Sequence, residues 1–274
     1  MMPIVDAVTQ AWVRATGRRI DPSLECWLDG PAADARGIGA NFFQSYAAKH
    51  GIALDEAPGL LDTAAPLDPA NRMDPLVRMF YERTSSFDID AWAEWSGLFR
   101  PFGELLARMF SRRLGQLNLP LSALDTSRGM SSKIFSLSGT GMRAWVRSLN
   151  ATGQTIYAGA YSLCTVPNRS EHCVRVVFPL PNGSATVILF PEIGSDGSLT
   201  LWSQGRRFGD AGFYFVVKGE GKTWARYVRS MHESIRVYVE GRELRTDHVL
   251  HLFGLVFLRI HYRLRLRDAV GSRT

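Results

Sequence analysis

The chain has 274 residues, 46% of them hydrophobic and 21% charged, a formal net charge of +6 and three cysteines. That length and balance support a folded core without metal or disulfide and exclude intrinsic disorder, and the scattered Cys26, Cys164 and Cys173 exclude a disulfide framework. Excess cations attract polyanions, but only four of the 32 basic residues are lysine and no basic stripe stands out, so nucleic acid is not expected as a partner.

The N-terminus has no basic region followed by a long apolar run, which makes the cytoplasm the expected address. Residues 1–70 mix short apolar stretches with Ala, Gly, Pro and Asp, and are expected to form a helical or irregular segment. Gly37-Ile38-Gly39 opens a G-x-G without a third glycine or a preceding strand, too little for a dinucleotide site. Residues 71–270 read as a single α+β domain, with helices over 74–115 and antiparallel strands over 131–267. Asp74-Pro75 places an N-cap before a proline at the first helical position, and Leu76, Val77, Phe80 and Tyr81 follow at helical spacing. A second helix is expected from Asp90, ahead of Trp92 and Trp95. A third starts at Pro101, where Phe102, Leu105, Leu106, Met109 and Phe110 share a face and Gly115 closes the end.

Beyond the loop at 118–130 the pattern turns to strands, over roughly 131–138, 142–149, 154–166, 173–179, 184–191, 198–203 and 212–218. Pro181-Asn182-Gly183 and Ser195-Asp196-Gly197 mark tight hairpins, so the sheet is antiparallel. Trp224, Tyr227, Val228, Met231 and Ile235 resume helical spacing and predict one inserted helix. Between His248 and Tyr262 the longest apolar run is broken by His251, Gly254, Arg259 and His261, too interrupted for a membrane helix. The last strand alternates, with Leu258, Ile260, Tyr262, Leu264 and Leu266 on one face and Arg259, His261, Arg263, Arg265 and Arg267 on the other. The expected fold is therefore α+β: N-terminal helices packed on a large antiparallel sheet or barrel with one inserted helix in its C-terminal half.

Strong catalytic motifs are absent: no P-loop, G-x-S-x-G, H-E-x-x-H or C-x-x-C occurs. His248, with Asp247 beside it and His251 and His261 nearby, is the best raw material for acid/base work; hydrogen-bonded histidines around a sheet are the plainer reading, and no metal site is expected. Asp88 and Asp90 could hold a divalent cation but read more simply as a helix cap at Asp90 with Asp88 in the preceding turn. Cys164 and Cys173 read as buried, inert thiols. Asp125 and Arg128 crowd the loop before the sheet, and Arg206 and Arg207 sit between Gly205 and Gly209, where arginine forks could hold a carboxylate or phosphate; arginine-anchored turns are the alternative. Tyr157, Tyr161 and Trp202 are the aromatic candidates for a cavity wall, though an ordinary core would use them equally well.

FYERTSSFDIDAWAEWSGLFRPFGELLARMFSRRLGQLNLPLSALDTSRGM, TIYAGAYSLC, VVFPLPNGSATV, GRRFGDAGFYFVV and LRTDHVLHLFGLVFLRIHYRL together resemble the bacterial YndJ-like proteins, an uncharacterised family, across roughly residues 75–265. The resemblance implies one continuous unit and carries no activity; some relatives join such a region to a membrane-embedded segment, so any membrane role here is expected to be peripheral or lost.

The function expected first is binding of a hydrophobic small molecule or lipid with an anionic group in a β-sheet cavity, held by Arg128, Arg206 and Arg207, with no cofactor. A cyclase, isomerase or hydrolase using Asp125, Asp247 or His248 is the second expectation. The third is a module whose cationic strand docks an acidic partner or membrane surface. They differ in where those side chains converge.

Overall fold

The computed structural model describes residues 4–33, 38–96, 130–149, 153 and 155–267. Three α-helices are described: α1 (Ile4–Thr16), α2 (Phe42–His50) and α3 (Pro75–Glu82). The α3 start matches the sequence rule, with the Asp74 carboxylate accepting from the Leu76 backbone N–H at 2.7 Å and Pro75 in the first turn. α2 ends where Gly51 takes a left-handed φ of 63°.

Fourteen strands follow the chain order β1 (Arg18–Ile20), β2 (Leu54–Glu56), β3 (Phe87–Trp95), β4 (Met130–Leu137), β5 (Met142–Leu149), β6 (Thr155–Val166), β7 (Arg169–Leu180), β8 (Gly183–Ile193), β9 (Leu199–Trp202), β10 (Gly212–Gly219), β11 (Lys222–Tyr227), β12 (Met231–Glu240), β13 (Glu243–Leu252) and β14 (Leu255–Leu266). They make one sheet whose main path is β2-β4-β5-β6-β7-β8-β9-β12-β13-β14-β3. The sheet forks at β8: its first half pairs β10, which continues to β11 and β1, and its last residues pair β9. Every strand pair is antiparallel, as the hairpin signals at Asn182 and Gly197 require; both residues hold positive φ, 57° and 76°.

Three expectations are corrected. The sheet is open and does not close into a barrel, because β2 and β3 remain at its two ends. The helix expected from Asp90 is instead β3: Phe87, Ile89 and Ala91 are buried while Asp88, Asp90 and Trp92 are exposed, and the strand pairs along its length with β14. Period-2 burial overrode the accidental i, i+3 spacing of Trp92 and Trp95. The inserted helix at 224–235 is likewise absent; its apolar residues divide between β11 and β12, which turn at Val228–Ser230. In β11 Thr223, Ala225 and Tyr227 are the buried alternates, a strand pattern that the wider spacing concealed. The helix expected from Pro101 to Gly115 lies outside the described residues.

Both faces of the central strands are covered. On β7 and β8, Val176, Val187 and Leu189 face one core while Val177 and Ile188 face others, which explains their nearly continuous apolar sequence. The N-terminal segment supplies the covering layer on the back: Ile20, Trp27 and Leu28 pack on Cys173, Ile188 and Tyr214, and Ile38 and Phe43 pack on Leu137, Ala144, Val146 and Ala158. The front face curls round α3 and the Ala57–Leu67 segment, with Leu60, Phe80 and Tyr81 filling the concavity. The curl is tight enough to bring Arg147 of β5 within 5.7 Å of the Tyr262 ring of β14, although several strands separate them along the sheet. That approach creates the cavity described next.

Candidate functional site

The concave face encloses a cavity of about 120 Å³ whose walls come from α3 and strands β3, β5–β9 and β12–β14. Its apolar lining includes Leu60, Phe80, Ile89, Val176, Leu189, Leu201 and Leu264. Strand alternation places the polar residues among them. On β5, Trp145 and Arg147 face the cavity while Ala144 and Val146 face the opposite core. On β13, Thr246 and His248 face in while Asp247 faces out.

These polar groups form a continuous strip across the curl. Thr246 and Tyr262 are direct cross-strand partners, and Arg147 hydrogen-bonds the Tyr262 side chain. Arg147 is in turn the cross-strand partner of Tyr157, whose hydroxyl donates to the Tyr161 hydroxyl at 2.5 Å. Tyr157 and Tyr161 are two pleats apart on one strand, so their rings must lean over the residue between them. Gly159 permits this: a Cβ there would stand 2.8 Å from the Tyr157 hydroxyl oxygen. Trp145 is fixed by its indole N–H donating to Ser132 Oγ at 2.6 Å, and its ring lies 5.2 Å from the Arg147 guanidinium carbon.

A carboxylate completes the wall. Glu233 of β12, 7% exposed, accepts from His248 Nε2 at 2.7 Å, and the Ser203 hydroxyl accepts from the Glu233 backbone N–H. A carboxylate-held imidazole keeps one tautomer and orientation and can pass a proton. Burial dominates the electrostatics. It pulls Arg147 below the usual guanidinium range, with Tyr262, Tyr157 and Tyr161 acting against it, and lifts Tyr157, Tyr161, Tyr81 and Tyr262 above the usual phenol range. The phenols are neutral donors at any physiological pH. Thr246, 5% exposed, has a buried Oγ1 without a hydrogen-bond partner among the described residues.

Of the residues singled out in the sequence, Tyr157, Tyr161 and His248 line this cavity. Asp125 and Arg128 lie outside the described residues. Asp247 is on the outer face, 2.7 Å from His261 Nδ1, with Trp92 stacked on the His261 ring. Trp202 donates to Glu192 at 2.8 Å away from the cavity. Arg206 and Arg207 belong to an exposed turn in which their backbone N–H groups donate to Asp210 at 2.9 and 3.1 Å. Asp88 and Asp90 cap no helix; they pair with Arg267 and Arg265 at 2.8 Å each. His251 faces His232 across the β12–β13 pair, and no group of three metal-ligating side chains converges among the described residues.

Arg147, Glu233, Thr246 and Tyr262 were missed. The signal for Arg147 was present, since Trp145 and Arg147 alternate with Ala144 and Val146 in a short strand. Glu233 was hidden by the helical spacing around it.

No family model and no solved structure matches the chain. A curated Bacillus subtilis (strain 168) protein, named there as an uncharacterized membrane protein, YndJ, is 30% identical over 240 residues, 84% of this chain and 41% of that protein. The chain thus spans less than half of that relative's length. No helix among the described residues is long and apolar enough to cross a membrane. At that identity and coverage the chain belongs to the YndJ-like proteins, an uncharacterised family.

Proposed function

We propose that the protein binds a small ligand with an apolar body and a single anionic or hydrogen-bonding head in the cavity on the concave face of the sheet. Thr246 carries the reading: its buried hydroxyl has no partner among the described residues and stands beside Tyr262 in a wall shared with Arg147, Tyr157 and Tyr161. An unmade buried hydrogen bond costs about 1–3 kcal/mol, so a site that keeps one gains when a ligand supplies the partner. A cavity of about 120 Å³ suits one aromatic ring or a short acyl chain, since an apolar cavity of roughly 150 Å³ admits benzene. Arg147 and the phenol hydroxyls favour a carboxylate head, because a guanidinium offers paired donors to both of its oxygens. The arginines that hold the head are therefore not Arg206 and Arg207, whose turn lies elsewhere.

Titration with benzoate and with hexanoate, followed by intrinsic tryptophan fluorescence and melting temperature, tests this. One of the two raises the melting temperature saturably, and Arg147→Met weakens that binding at least about tenfold, the loss of roughly one charge-assisted hydrogen bond. An absence of saturable response to both carboxylates, together with a protein that carries no small molecule through denaturing extraction, rejects the reading.

A further inference from the structure

The hairpin that joins β13 to β14 carries a chemistry its geometry does not ask for. Leu252 pairs with Leu255, leaving Phe253 and Gly254 as a two-residue turn with φ of 52° and 81°. Positive φ at both central residues is the turn that Asn, Asp and Gly accept most readily, and a bulky aromatic is strained there. The β10–β11 hairpin uses the same φ signs with Glu220 and Gly221, at 52° and 69°. There the first position is polar. At the β13–β14 tip Phe253 is instead 80% exposed and Leu255 61% exposed. Local conformation and solvation both oppose this choice.

The surroundings indicate what compensates. The Phe253 backbone N–H donates to the Ser230 carbonyl, and the Arg229 guanidinium beside it donates to the Arg206 carbonyl, so the tip, the β11–β12 turn and the 205–210 loop form one edge. Arg206, Arg207, Arg229 and Arg259 are exposed on or beside it, and none forms an ion pair among the described residues. At the far end of the same hairpin the cations are neutralised: Arg245 and Arg263 by Glu243, Arg265 by Asp90 and Arg267 by Asp88. The apolar tip thus has four exposed arginines on its own edge that no carboxylate among the described residues neutralises.

We propose that the Phe253-Gly254-Leu255 tip docks on an anionic lipid surface, the two apolar side chains entering the headgroup boundary while Arg206, Arg207, Arg229 and Arg259 contact lipid phosphates. An apolar wedge ringed by cations fits that partner because neither element binds a membrane durably alone. The proposal is independent of the cavity reading, since no residue is shared.

Vesicle sedimentation of the full chain tests it. The protein sediments with phosphatidylcholine vesicles containing about 30% phosphatidylglycerol, only weakly with phosphatidylcholine alone, and release by salt follows screening of the arginines. Phe253→Asn places a residue suited to the turn, so the melting temperature holds or rises while vesicle binding falls about tenfold. Combined Arg229→Gln and Arg259→Gln weakens binding to the anionic vesicles only. Sedimentation that is absent, indifferent to phosphatidylglycerol, or unchanged by Phe253→Asn overturns the proposal. Salt-sensitive binding to heparin beads that Phe253→Asn leaves intact, with no vesicle binding, also overturns it and assigns the edge to an acidic macromolecule.

Discussion

A threonine hydroxyl buried without a hydrogen-bond partner among the described residues is a measurable strain on the ligand-free protein. Replacing Thr246 by valine keeps the shape and removes the unpaired oxygen, so ligand-free stability rises by about 1 kcal/mol in urea unfolding, while carboxylate affinity falls. The cysteines separate on the same logic of burial. Burial pushes the Cys164 thiol up to about 12 and the Cys173 thiol up to about 11, whereas Cys26 is exposed. Thiolates, not thiols, react, so a chromogenic disulfide reagent at neutral pH labels one thiol quickly in the native protein, and Cys26→Ser removes that phase. These thiols read as inert from sequence, since each strand offered no neighbouring base. The value of Thr246 was not legible in that way, because only folding reveals which hydroxyls lose their water.

The strands between Met142 and Gly219 were readable to within a few residues, since alternation and turn residues are local properties. Where the reading failed, at β3 and at β11–β12, aromatic residues at three- and four-residue spacing imitated a helical stripe, and pairing with distant strands decided the outcome. The fork at β8 shows what local pattern leaves out. Gly183 lies where β8 is flanked by β7 and β10, and a Cβ there would meet the Val216 carbonyl oxygen at 2.0 Å. Gly183→Ala therefore forces the two strands apart and destabilises the protein by about 3 kcal/mol, read as a shift of the denaturation midpoint. In the sequence Gly183 is simply the last residue of a turn.

Across the whole molecule the buried phenols make stability depend on alkaline pH. Tyr81, Tyr157, Tyr161, Tyr214, Tyr227 and Tyr262 all titrate above the ordinary value of 10.0, chiefly through burial, with Tyr227 pushed up to about 12. Their folded values exceed the unfolded value. The unfolded chain therefore releases these protons first, and the stability they contribute is complete below pH 10 and lost progressively as pH rises above it. Melting temperature measured from pH 8 to pH 12 stays level and then falls steeply past pH 10; a level profile to pH 12 would contradict the burial of these hydroxyls. The charge distribution acts at the same scale. Within the β13–β14 hairpin the arginines at one end are paired with carboxylates while Arg259 near the other is not, a distribution that the net charge of +6 cannot express.

Composition and local pattern determined that the chain has the apolar content of a packed core, that its later part is antiparallel β, where several hairpins turn, and which face of β14 is apolar. Each of these depends on nearest neighbours in sequence, where side-chain period and turn conformation act directly. Tertiary structure alone decided that the segments carrying Ile20, Trp27, Leu28, Ile38 and Phe43 back the sheet as a second layer, that the sheet stays open, and that Arg147 meets Tyr262 across its curl. Those outcomes follow from twist accumulated over many strands and from the burial of both faces, properties of the assembled sheet rather than of any segment.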